Sequence, residues 1–271
     1  MRSEYILKLL EKNERLDGRK LDEFRNISVE VNPIERAEGS ARVKFGKTDV
    51  IVGVKMDFGE PYPDSPKSGV LRTEAELVPL AHPEFVSGPP DENATEIARV
   101  IDRGIREGET IDLEKLCITE GEKVWCVYVD FYPLNHDGNL IDAGSLAALV
   151  ALKNTKIPSV DEKGKIDRTK LTEPLQLLHQ PITITVGKVG GKYIIDPTYE
   201  EEEVLDSKLS VAVTEEGKVV AMQKGPGILT DDDVDRMIDI AVEKSKEIRE
   251  LILGGTKEVK QKTKANKSRK G

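Results

Sequence analysis

Only two cysteines occur in the 271 residues, Cys117 and Cys126, and they form no CxxC pair. The three histidines, His82, His136 and His179, do not cluster with them. This spacing argues against a zinc site. Two cysteines and no signal-peptide pattern suit a reducing compartment. Long apolar runs are absent too: nothing approaches the ~18 consecutive apolar residues of a membrane helix. A soluble, cytoplasmic protein is expected. Glutamine is scarce while charged residues reach 34%, a composition seen in heat-adapted proteins.

The net charge is −9, which at first argues against nucleic acid. The charge is uneven, however. The stretch from Lys257 holds seven basic residues and one acid, so the body before it is near −15. An acidic body can still bind RNA through a local basic stripe or beside a more basic partner. The tail itself reads as a disordered, solubilising end.

An amphipathic helix is expected over Ser3–Lys12, followed by an Asp17-Gly18 turn. Ile27, Val29 and Val31 alternate with polar residues, as do Ala41, Val43 and Phe45. Asp49–Phe58 is more continuously apolar and is expected at the centre of a sheet. Prolines 61, 63 and 66 mark a loop, and Val70–Leu80 alternates again. Asp91 opens a helix to about Glu107. Lys123–Leu134 reads as a long strand with Trp125 in the core, not as a base-stacking platform. Ala143–Lys153, rich in Ala and Leu, reads as a buried helix. Ile157–His179 is polar and weakly patterned, which predicts a linker. Strands resume at Ile182–Val189, Tyr193–Asp196, Leu209–Val213 and Val219–Gln223, the last two joined by a Glu216-Gly217 turn. Thr230, with Asp233 three residues on, caps a final helix. The pattern predicts an α+β fold of two similar lobes, each a β-sheet packed with helices. The divisions are an N-terminal helix and arm (1–25), a first lobe (26–165), a second lobe (180–254) and a basic tail (255–271).

Arg99, Arg103 and Arg106 fall at i, i+4 and i+7 in ENATEIARVIDRGIRE and share a strip about 60° wide. Ile97, Ile101 and Ile105 lie on roughly the opposite side. Three guanidinium groups along one exposed strip suit a phosphodiester backbone, because each can fork to phosphate. Spacing alone favours a solvated face with intrahelical ion pairs, Asp102 to Arg106 and Glu96 to Arg99.

Other motifs have plain readings. His136-Asp137 could suggest a catalytic dyad, but neighbours on a tight turn seldom face each other, so a surface turn is expected. Glu200–Glu203 could suggest a cation site; a solvated acidic loop is simpler. Gly225-Pro226-Gly227 could cradle phosphate, but a turn suffices.

Four segments taken together, RLDGRKLDEFR, GSARVKFGKTDVIVGVK, GPPDENATEIARVIDR and DGNLIDAGSLAALVAL, resemble the RNase PH family, from about Arg15 to Leu253. Within it they look most like the non-catalytic RNase PH-like subunits of archaeal exosomes. The resemblance implies two RNase PH-type lobes with mixed sheets, the first like domain 2 of ribosomal protein S5. Active members use inorganic phosphate to degrade RNA from its 3′ end. They hold phosphate at a Gly-Thr-Arg or Gly-Ser-Arg loop before a helix N-terminus. An acidic residue late in the second lobe helps protonate the departing oxygen. Set ungapped against the family's LQADGGTRTA, Leu134–Ala143 reads LNHDGNLIDA. Leu140 and Ile141 replace threonine and arginine, and Asp142 is expected to bring negative charge to the anion site. Lys208 aligns with the acidic residue, with Asp206 two positions before it.

The resemblance therefore implies a chain with no catalytic residues, metal or cofactor of its own; phosphate is used at a partner's site. It implies a catalytic RNase PH-like sister subunit, three such pairs in a ring, RNA-binding cap proteins on that ring, and single-stranded RNA held by Arg99 and Arg103. Arg106 continues the strip geometrically. Two other readings stay open: an active phosphorolytic exoribonuclease, and an interaction scaffold that never touches RNA.

Overall fold

The computed structural model describes residues 2–162 and 164–252. The basic tail lies outside them, as do residues 253 and 254 of the second lobe. Helix α1 (Arg2–Glu11) buries Ile6 and Leu10 against Val189 and Ile194 of the second lobe. The first sheet contains β1 (Ile27–Val31), β2 (Gly39–Phe45), β3 (Thr48–Gly59), β4 (Val70–Ala75), β5 (Cys117–Thr119) and β6 (Lys123–Asn135). Its order is β1-β2-β3-β6-β4, with β5 also on β6. Only the β4–β6 pairing is parallel. As expected, the Asp49–Phe58 run is central, flanked by β2 and β6. Val50, Val52, Val54 and Met56 are fully buried, and the alternate residues face outward.

Helix α2 (Glu92–Glu107) starts where Asp91 caps it, accepting a 2.7 Å hydrogen bond from Ala94 N–H. Helix α3 (Leu140–Lys153) starts three residues earlier than its Ala/Leu pattern suggested. Asn139, at φ 56°, makes the left-handed turn into it, so Leu140 and Ile141 sit in the first helical turn. Gly144 lets α3 approach closely: a Cβ there would lie 2.7 Å from the Phe131 ring and 3.0 Å from Ile101.

The second sheet contains β9 (Ile182–Val189), β10 (Lys192–Ile195), β11 (Ser207–Val213) and β12 (Val219–Lys224), in the order β10-β9-β11-β12. The expected mixed sheet holds for the first lobe; here every pairing is antiparallel. Helix α5 (Asp231–Ile252) opens with the Thr230–Asp233 pair bonding reciprocally, at 2.8 and 3.2 Å. It buries Met237, Ala241 and Ile248 on β9 and β11. Helix α3 packs on the first sheet and on β9, while α2 reaches from β4 to β12. One hydrophobic core therefore runs through both lobes, and Trp125 belongs to it, with its ring 4.5 Å from Phe58. No helix among the described residues is long and apolar enough to cross a membrane.

The polar stretch after α3 differs from the expected linker. It folds into an antiparallel hairpin, β7 (Lys156–Val160) and β8 (Ile166–Pro174). Backbone pairing needs no apolar face, so weak patterning hid these strands. Arg168 docks the hairpin on the first lobe by bonding Glu38 (2.8 Å), the Met56 carbonyl (2.7 Å) and Asp57 (3.1 Å).

The arm between α1 and β1 is tied down by buried charge. Arg15 forks onto Glu201 (2.8 and 2.5 Å) and donates to the Ile195 and Asp196 carbonyls. Arg25 forks onto Asp196 at 2.9 and 2.6 Å and donates to the Asp137 carbonyl at 2.6 Å. These bonds hold the arm, the turn before α3 and the start of the short helix α4 (Tyr199–Glu202) in one place.

Candidate RNA-binding strip and degenerate cleft

Helix α2 places its isoleucines and arginines as the spacing predicted. Ile97, Ile101 and Ile105 are buried, while Arg99, Arg103 and Arg106 are exposed. The expected Asp102–Arg106 pair forms, with Arg106 Nε and Nη2 each 3.0 Å from a carboxylate oxygen. Arg106 Nη2 also donates to the Leu71 carbonyl at 3.1 Å. The expected Glu96–Arg99 pair does not form. Glu96 instead accepts a 3.0 Å hydrogen bond from Gln223 Nε2 on β12. The other amide atom, Gln223 Oε1, accepts from Arg103 Nη1 at 3.5 Å. Among the described residues Arg99 and Arg103 make no ion pair. Both line a shallow groove with Pro90, Thr95 and Gln223, and with three carboxylates, Asp91, Glu92 and Glu96.

Lys208 lies about seventy residues after Leu140 and Ile141 in sequence, yet all three line a single cleft of about 350 Å³ between the lobes. Leu140 and Ile141 present aliphatic side chains at the first turn of α3, both largely buried. Five carboxylates (Glu84, Glu96, Glu202, Glu203 and Asp206) line the cleft against one ammonium, Lys208. Lys208 is itself paired with Glu202 at 3.4 Å. A phosphate placed here meets repulsion and two side chains that donate no hydrogen bond, which is unfavourable on both counts.

Asp142 has a different role from the one expected. It does not charge the cleft, being fully enclosed. Its carboxylate accepts from Thr185 N–H (2.8 Å), Thr185 Oγ1 (2.7 Å) and Asn139 Nδ2 (3.0 Å). Burial pushes its pKa up to about 7 despite those bonds, and Asp196 nearby adds to the rise. It therefore joins α3 to β9, its three accepted hydrogen bonds offsetting part of the cost of burial.

His136 and Asp137 do not form a dyad. His136 is half-buried, not at the surface, and stacks on Phe85 with centroids 5.4 Å apart and planes 15° apart. It also touches His82 and Tyr199. Burial and the neighbouring His82 and Lys208 lower its pKa to about 4, so it is neutral near pH 7 and adds no positive charge to the cleft. Asp137 faces Arg25 at 3.6 Å.

The acidic run also needs correction. Glu201 is not solvated; it is 1% exposed and takes both Arg15 bonds. Thr198 and Glu201 form a full capping box on α4, and this T-x-x-E spacing was the sequence signal for it. The Gly225-Pro226-Gly227 segment is a turn, with Lys224 Nζ donating to the carbonyls of both glycines. The Arg15–Glu201 and Arg25–Asp196 bonds escaped sequence reasoning, since their partners lie more than 170 residues apart.

Comparison with known proteins agrees with this geometry. Residues 23–158 match domain 1 of the 3′ exoribonuclease family, and residues 179–244 match its domain 2. The exosome complex component Rrp42 of Archaeoglobus fulgidus is 50% identical over 251 residues, 92% of this chain and 95% of that one. A chain of the Archaeoglobus fulgidus exosome with RNA bound to the active site superposes with a TM-score of 0.87 at 49% identity, covering 92% of this chain and 97% of that chain. A chain of an archaeal exosome core gives 0.82 at 46% identity, covering 92% and 95%. With two RNase PH domains in order and relatives at this identity over nearly its whole length, the chain belongs to the 3′ exoribonuclease (RNase PH) family.

Proposed function

We propose that this chain is a non-catalytic, RNA-positioning subunit of a cytoplasmic archaeal exosome. It pairs with a catalytic RNase PH-like sister, three such pairs close a ring, and RNA-binding cap proteins sit on it. Inorganic phosphate is consumed at the sister's site, and this chain needs no metal or cofactor. Arg99 and Arg103 hold the phosphodiester backbone of the entering strand. Arg106 adds its uncommitted Nη1 at the far end of the strip.

The observation that carries this reading is the cleft. The positions that would bind phosphate and donate a proton in an active relative converge there as Leu140, Ile141 and Lys208, among five carboxylates. Chemistry on this chain therefore lacks both its anion site and its acid. The exposed, unpaired Arg99 and Arg103 give it a different task.

The test is phosphorolysis of single-stranded RNA by this chain alone, by the catalytic sister alone and by both together. Nucleoside diphosphate release is expected from the mixture and not from this chain. Release by this chain alone would establish it as an active exoribonuclease and end the proposal.

A further inference from the structure

The arginine strip continues beyond α2. Arg106 reaches the carbonyl of Leu71 on β4, the edge strand of the first sheet. The next residue, Arg72, is exposed and makes no ion pair among the described residues. Its guanidinium lies 6.0 Å from the centre of the Tyr128 ring, and the neighbouring Tyr62 side chain raises its pKa. Tyr62 is also within electrostatic reach of Arg106. Edge strand β4 thus meets Arg106 at the Leu71 carbonyl on its α2 side and carries Arg72 over Tyr128 on the opposite face, with Tyr62 near both arginines.

Tyr62 is 49% exposed. Its loop is nonetheless held firmly. Pro61, Pro63 and Pro66 restrict it, and Ser65 N–H and Ser68 N–H close successive turns at 3.0 Å. Gly69 N–H bonds the Leu113 carbonyl (2.8 Å), and the Pro66 carbonyl accepts from Gly121 N–H (2.9 Å). An exposed ring on a fixed loop, beside a guanidinium, is pre-ordered to stack on a flat ligand. Arginines on both sides of a sheet edge suit a polyanion, and single-stranded nucleic acid offers both phosphates and unpaired bases.

We propose that Tyr62, supported by Arg72, is a base-stacking contact for the same single-stranded RNA strand whose phosphates follow Arg99 and Arg103. This rests on the RNA-positioning reading of α2 and extends the path across the sheet edge.

The test uses the full chain assembled with its catalytic sister. Affinity for a labelled 20-nucleotide oligo(A) is compared for the native ring and the Tyr62→Ala, Tyr62→Phe and Arg99→Glu/Arg103→Glu rings, and photo-crosslinking of 4-thiouridine RNA is mapped. Tyr62→Ala should weaken binding by roughly fivefold to a hundredfold, the range for removing one stacked base. Tyr62→Phe should restore most of it, and Tyr62 should crosslink. Native affinity in Tyr62→Ala with no crosslink at Tyr62 would overturn the proposal. So would failure of Tyr62→Ala to form rings, which would make this surface a subunit interface. Unchanged affinity in the charge-reversed pair would instead sink the α2 reading, so the two ideas fail separately.

Discussion

Gln223 on β12 donates a 3.0 Å hydrogen bond to Glu96 on α2. This bond, formed between the lobes, engages the carboxylate best spaced to neutralise Arg99. The same amide meets Arg103 through its oxygen. A second-lobe strand thereby engages Glu96, one of three carboxylates (with Asp91 and Glu92) in the groove of Arg99 and Arg103. Gln223→Ala frees Glu96 to pair with Arg99, an exposed i, i+3 pair worth about 0.2–0.5 kcal/mol. RNA affinity of the assembled ring should fall by about twofold or less, measurable by fluorescence anisotropy. A gain in affinity would show that Gln223 restrains the arginines instead.

Arg25 and Asp196 join the arm to the turn that starts α3. Both are buried, and Asp196 accepts from the Arg25 backbone as well as its guanidinium. Arg25→Leu leaves Asp196 charged with fewer partners. Destabilisation by about 3–5 kcal/mol is expected, the usual cost of breaking a buried pair from one side. Urea unfolding of the full chain measures it. A change below about 1 kcal/mol would mean that Arg15 on Glu201 and Arg19, which also reaches Asp196 at 3.2 Å, carry the arm without Arg25.

Asp142 and His136 predict pH effects of opposite sign. The folded state raises the Asp142 pKa from an ordinary carboxylate value to about 7, so it binds the proton more tightly than the unfolded chain does. That contribution is complete below the unfolded pKa and is lost as pH rises to 7, by a few kcal/mol. His136 is depressed to about 4, so its contribution grows as pH rises from 4 through 6.5. Asp142→Asn should become progressively more stable relative to the native chain between pH 4 and 7. A difference that stays flat across this window in chemical unfolding would contradict the buried, protonated Asp142.

The order of strands and helices was legible because hydrophobic period reports directly on which face is buried. β3 and α2 read correctly for that reason. The α3 boundary did not, because Leu140 and Ile141 are helical through the left-handed turn at Asn139, which no periodicity records. The β7–β8 hairpin was hidden by its exposed, polar character. In the site, residue types at aligned positions pointed to Leu140, Ile141 and Lys208, and spacing gave the arginine strip. The direction of Asp142, the burial of Glu201 and the Gln223–Glu96 bond arise where distant segments meet. Such meetings have no local signature.

On the proposed reading, this chain grips RNA electrostatically through Arg99 and Arg103. The most direct measurement is RNA affinity of the assembled ring as a function of salt, for native and Arg99→Glu/Arg103→Glu forms. For a single strand, each phosphate no longer neutralised should reduce the log–log slope by about 0.7, so the doubly reversed ring should show a slope shallower by about 1.4 per bound strand, with weaker binding at every salt concentration. An unchanged slope and affinity in rings that still assemble would contradict the account and leave the chain an interaction scaffold.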